Sequence, residues 1–104
     1  MDDNQKLRWA TAWVISEARI SLGMTRDQLA GFAGLAIIRV RRMEQATREV
    51  TLNDLMRIAG VLKLDFAELA RRIAEELPRG PRKFKIPMGR PRKLTKTPKQ
   101  RSVK

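Results

Sequence analysis

The chain has 104 residues, 42% of them hydrophobic, with a net charge of +12 and a pI near 11.4, which is enough for one domain around a single core. Neither cysteine nor histidine occurs, so disulfides, thiolate nucleophiles, imidazole bases and the usual zinc ligands are excluded. With no glycine-rich phosphate loop, and with a surface or capping explanation for each acid, the sequence gives no sign of an enzyme, a metal site, a cofactor or a small-molecule substrate.

The charge is unevenly placed. Residues 1–77 carry 12 Lys+Arg against 11 Asp+Glu, whereas residues 78–104 carry 11 Lys+Arg and no acid. The second segment also holds all five prolines and few large apolar residues, Phe84, Ile86, Met88, Leu94 and Val103, too scattered to bury a face. The expectation is a folded domain over 1–77 followed by a disordered, basic tail over 78–104. Apolar stretches fall well short of the roughly 20 residues that cross a bilayer, and the start Met1-Asp2-Asp3-Asn4 is acidic where a signal peptide is basic. This implies a cytoplasmic protein with no membrane partner.

A first helix is predicted from a cap among Asp2, Asp3 and Asn4 to Leu22, with Gly23 as its left-handed stop. Leu7, Thr11, Val14, Ile15, Ala18 and Leu22 form its core stripe. Trp9, Trp13 and Ile20 make a second cluster, displaced by roughly 140° from Ile15 on a helical wheel. Either the last helix folds back over this cluster or it meets another subunit. Thr25 with Gln28 three residues on signals the cap of a second helix ending at Gly34. After a tight turn, Ile37, Val40 and Met43 resume a helical pattern on a segment that carries Arg39, Arg41 and Arg42. Two short helices about a glycine turn are the helix-turn-helix arrangement. Residues 45–50 read as a loop, and Thr51 caps a fourth helix with Leu52, Leu55, Ile58, Ala59 and Leu62 at helical spacing. Asp65 caps a fifth, with Phe66, Leu69, Ile73 and Leu77 on one side, ended by Pro78 and Gly80. The fold class is all-α, five helices and no strand.

On Arg19, Gly23, Met24-Thr25, Leu29-Ala30, Gly34, Val40, Glu44, Leu55, Ile58-Ala59, Leu62 and Leu69, the segment from Ile15 to Leu69 resembles the phage-repressor and Cro-like (XRE) helix-turn-helix family. The resemblance implies a buried structural ion pair between Arg19 and Glu44 and a recognition helix over Ile37 to Glu44 that enters the major groove of double-stranded DNA. It places Ile37, Ile38, Arg41 and Arg42 nearest the bases, Arg42 first among them, since arginine grips guanine O6 and N7 with two hydrogen bonds. Arg26 stands where the family commonly has a phosphate-clamping glutamine, beside Thr25. Thr47 and Arg48, with Gln45, match a phosphate-holding loop. Arg39 ranks lower, as a solvated surface charge. Ala36 replaces the usual Ser or Thr cap and Ala46 the usual glycine. At Ile37 and Ile38 the family usually has polar readers, and isoleucine offers only van der Waals contact, for instance to thymine methyls; one facing the core and the other merely exposed is the plainer alternative.

In the tail, Arg79-Gly80-Pro81-Arg82-Lys83 and Gly89-Arg90-Pro91-Arg92-Lys93 resemble the AT-hook, in which an extended Arg-Gly-Arg-Pro core lies in the minor groove of A·T-rich DNA. Met88 stands where the first arginine of the closer copy would be. A polybasic tail that coats any polyanion is the equal alternative. The expected function is a transcriptional regulator, bacterial or phage-encoded, acting as a homodimer whose interface draws on Trp9, Trp13, Ile20, Phe66 and Ile73. The rivals are an architectural, nucleoid-associated DNA-binding protein and a protein-binding adaptor such as an antitoxin or polymerase-associated factor.

Overall fold

The computed structural model describes residues 2–80. These form five α-helices, α1 Asp3–Ser21, α2 Arg26–Ala33, α3 Ile37–Glu44, α4 Leu52–Val61 and α5 Phe66–Glu76, closed by a 3₁₀ turn at Leu77–Arg79. No strand is present among the described residues. Side chains of Asp2, Thr25, Thr51 and Asp65 cap the first, second, fourth and fifth helices by accepting the N–H three residues on. At α2 the capping box is complete, because Gln28 Oε1 also accepts the Thr25 N–H at 2.9 Å. Ala36 gives α3 no such bond, a deficit of roughly 0.5–2 kcal/mol against a polar cap. Gly34 ends α2 at φ 71°, and the Leu35 N–H turns back to the Ala30 carbonyl at 2.9 Å, which sets the short turn into α3.

α1 is the central element. Ile15 joins Leu29, Val40, Met43, Ile58 and Leu62 in one core cluster, and Ala10 and Val14 join Ala59, Leu69 and Ile73 in a second. One flank of α1 thus packs on α3 and the other on α5, and its buried set, from Ala10 to Arg19, is broader than a single stripe.

Several expectations are corrected here. Leu7 and Leu22, assigned to the core stripe, are 48% and 46% exposed. Leu22 is the C-cap, where the chain already turns away, and Leu7 lines an open cleft between α1 and α5. Leu52 is 63% exposed because it is the first residue of α4, ahead of the turns that meet the core. Ile73, named as an interface residue, is 6% exposed and belongs to the second core cluster, with Trp13 packed against the same cluster. α5 does fold back along α1, leaving Trp9, Trp13, Ile20 and Phe66 half-buried. In the terminal turn, Leu77 packs on the core and Arg79 pairs with Glu76 at 3.3 Å. The remaining tail positions, Arg82, Lys83, Arg90, Arg92 and Lys93, lie outside the described residues.

Ala46 and Lys63 both adopt left-handed backbone, at φ 61° and 63°. A side chain costs roughly 1–2 kcal/mol in that conformation, and glycine's greater freedom when unfolded offsets part of the gain from removing it. Ala46→Gly is therefore expected to raise stability by up to about 1 kcal/mol, measured as a higher urea midpoint with an unchanged slope. A lower midpoint would contradict the strain.

Candidate nucleic-acid interface

The site is built from the inside out, beginning with a buried carboxylate. Glu44 ends α3 with its side chain 0% exposed, and Arg19, near the end of α1, is 3% exposed. Arg19 Nε donates to Glu44 Oε2 at 2.7 Å and Nη2 donates to Oε1 at 2.9 Å, while Nη1 reaches the Met24 carbonyl at 2.7 Å. Two parallel bonds between planar groups fix orientation as well as distance. Arg26, the first residue of α2, adds a second guanidinium: its Nε donates to Glu44 Oε1 at 3.0 Å, and its side chain keeps 20% exposure. One carboxylate therefore ties the ends of three helices together. The Arg26 contact gives no warning in the sequence beyond the change from the family's glutamine, since the partners stand 18 residues apart.

This clamp sets the rotation of α3. Val40, Met43 and Glu44 face inward, Ile37 packs partly against the core, and Ile38, Arg41, Arg42 and Gln45 are exposed. The four exposed residues fall at i, i+3, i+4 and i+7, one continuous face of α3 and its C-cap Gln45. The two isoleucines thus separate: Ile37 belongs mostly to the packing, and Ile38, 44% exposed, stands beside the two arginines. Arg39 departs from the solvated charge expected of it, because its Nη1 pairs at 3.3 Å with Asp54 of α4, a carboxylate whose side chain is 3% exposed. That bridge couples α3 to α4, while the Arg39 side chain itself keeps 39% exposure. Only the folded arrangement brings its partners together.

Around the C-terminal end of α3, the Thr47 N–H and hydroxyl both donate to the Arg42 carbonyl, at 3.0 and 3.2 Å. This closes the helix and brings the loop directly after it. Arg48 is half-buried there, and its Nε has no hydrogen-bond partner. At the N-terminal end of the motif, Thr25 is exposed and Arg26 half-buried. Among the described residues, no group of acidic side chains has metal-ligating geometry, and no helix is long and apolar enough to cross a membrane.

A short helix held in place by its neighbours, with a cationic outer face and a tight glycine turn before it, defines a helix-turn-helix protein. Residues 15–69, just over half of the chain, match the model of the helix-turn-helix family HTH_3, and the chain belongs to that family of DNA-binding transcriptional regulators. Among solved structures, the crystal structure of the clp gene regulator ClgR from Corynebacterium glutamicum is similar, with a TM-score of 0.66 and 20% identity over 70% of this chain and 78% of that one. At that identity the likeness is one of fold. No curated protein matches the sequence.

Removing one member of a buried ion pair strands the other and typically costs about 3–5 kcal/mol, whereas replacing both with apolar groups of similar size is often close to neutral. Glu44→Gln is accordingly expected to lose about 3 kcal/mol or more, and Arg19→Met with Glu44→Met to lose less than either single change. Chemical denaturation of Glu44→Gln, of each methionine variant alone and of the double variant decides this. Additive losses would show that the two residues do not act as a pair.

Proposed function

We propose that the protein binds a specific DNA site by laying the α3 face of Ile38, Arg41, Arg42 and Gln45 in the major groove. The observation that carries this reading is the exposure of those four side chains on one face of a helix whose opposite face is locked by Arg19 and Glu44. An eight-residue helix is about 12 Å long, close to the width of the B-DNA major groove, roughly 12 Å. Arg41 and Arg42 offer forks for guanine O6 and N7, and Ile38 offers a methyl-rich surface for thymine. Gln45 is an amide reader or phosphate donor at the helix end.

Thr47 and Arg48 hold the adjoining phosphates, and Arg26 with Thr25 flanks them from α2. Backbone contacts of this kind set register without carrying sequence information. Bound as a homodimer, through a surface that includes the half-buried Trp9, Trp13, Ile20 and Phe66, the protein would present two α3 helices about 34 Å apart to an inverted repeat. The basic residues after Gly80 add phosphate or A·T-rich minor-groove contacts, raising affinity more than specificity. Such a protein works in the cytoplasm, at the bacterial nucleoid or on a phage genome.

Two classes of substitution separate reading from holding. Arg42→Ala is expected to cost about 1–3 kcal/mol on the preferred site and to relax the preference at one base position. Arg48→Ala is expected to weaken all duplexes alike and to lower the salt slope of binding by about 1. Binding-site selection followed by salt-dependent titration reads both. A preferred sequence unchanged in the Arg41→Ala and Arg42→Ala variants would remove α3 from the readout.

A further inference from the structure

Between the N-terminal half of α1, the loop entering α4 and the C-terminal half of α5 lies an open cleft of about 480 Å³, walled by Leu7, Val50, Leu55, Ile73 and Leu77. Its volume falls in the range of roughly 300–1,000 Å³ in which proteins hold small apolar ligands. Leu7 stands half-exposed in it, although leucine gains from burial. Arg8 is also on the wall, and its Nε is shut off from solvent with no hydrogen-bond partner. Buried donors are nearly always paired, so this one N–H is left without the acceptor it calls for.

The chain itself supplies a fitting occupant. Leu77 forms part of the cleft, Gly80 ends the described residues, and the sequence continues for 24 more. Phe84, Ile86 and Met88, too few to form a core of their own, follow at alternate positions, with Lys83 before them and Lys85 between. Pro87 disfavours helical backbone at Ile86, and in extended chain alternate side chains share one face. Four extended residues span up to about 13 Å, so Phe84 is within reach of a cleft that begins at Leu77. We infer that residues 84–88 dock into this cleft of the same chain, setting Phe84, Ile86 and Met88 against its apolar wall and offering a backbone carbonyl to Arg8. Lys83 and Lys85 then lie toward Glu49 on the cleft wall and the acidic start of α1 at Asp2 and Asp3.

Docking there fixes where the basic residues after Met88 begin. Glu49 and Val50 in the wall directly follow Arg48, so the tail would leave the domain beside the phosphate-holding loop and act at high local concentration. That consequence rests on the groove-binding reading above; the docking itself does not.

The test uses the full-length protein without DNA. Because the chain has no cysteine, Lys85→Cys carries a nitroxide as its sole thiol adduct, and amide signals of Leu7, Val50 and Ala74 report proximity. Their intensities are expected to fall several-fold relative to amides of α2, and to stay low when the isotope-labelled chain is diluted with excess unlabelled, nitroxide-free chain. Changing Phe84, Ile86 and Met88 together to Ser is expected to restore them. Uniform intensities would overturn the proposal. Recovery on dilution would place the segment on a second copy and overturn docking within one chain, and persistence in the triple serine variant would overturn docking through the apolar side chains.

Discussion

A single carboxylate organises the helix-turn-helix of this protein. Glu44 is wholly buried, and it accepts hydrogen bonds from Arg19 of α1 and Arg26 of α2 while ending α3 itself. A charge removed from water demands this kind of compensation, which makes the position of α3 a matter of hydrogen-bond geometry as well as of hydrophobic packing. Apolar contacts through Val40 and Met43 hold α3 against the core, but such contacts are non-directional. The two-pronged Arg19 contact supplies the direction, and with it the rotation that turns Arg41 and Arg42 outward.

The second constraint is how arginines are apportioned. α3 carries three, and the fold divides them between two settings: Arg39 is tied to Asp54, while Arg41 and Arg42 remain exposed. The Arg39–Asp54 bridge fastens α3 to α4 on the side away from Glu44. α3 is thus held by opposite charges on two sides, and its outward cations stay exposed. A rigid support of this kind limits the conformational freedom lost on binding.

Much of this architecture was legible in the sequence because it is local. Thr25, Thr51 and Asp65 cap their helices, Gly23 and Gly34 stop two of them, and the 3.6-residue recurrence of Val40 with Met43 and of Leu69 with Ile73 marks inner faces. Less local properties were not. Leu7 and Leu52 sit on the right wheel positions, yet end up exposed, because whether a neighbour reaches the end of a helix depends on how far that neighbour extends. Ile73 was assigned to an interface although α5 buries it within the monomer. The tie of Arg39 to Asp54 and that of Arg26 to Glu44 could not be read from the sequence, since these acidic partners lie 15 and 18 positions away and only the folded chain brings them near. Ile37 and Ile38 could not be separated from sequence, because adjacent helical positions differ by about 100°, and the boundary of the buried face falls between them.

The groove assignment for α3 is tested most directly by methylation interference on a DNA site selected by the full-length protein. Arginine forks on guanine N7 require that atom unmodified, so N7 methylation at particular guanines should abolish binding, with sensitivity at one of them disappearing in Arg42→Ala. Binding indifferent to N7 methylation throughout the site, and displaced instead by a minor-groove competitor, would contradict it.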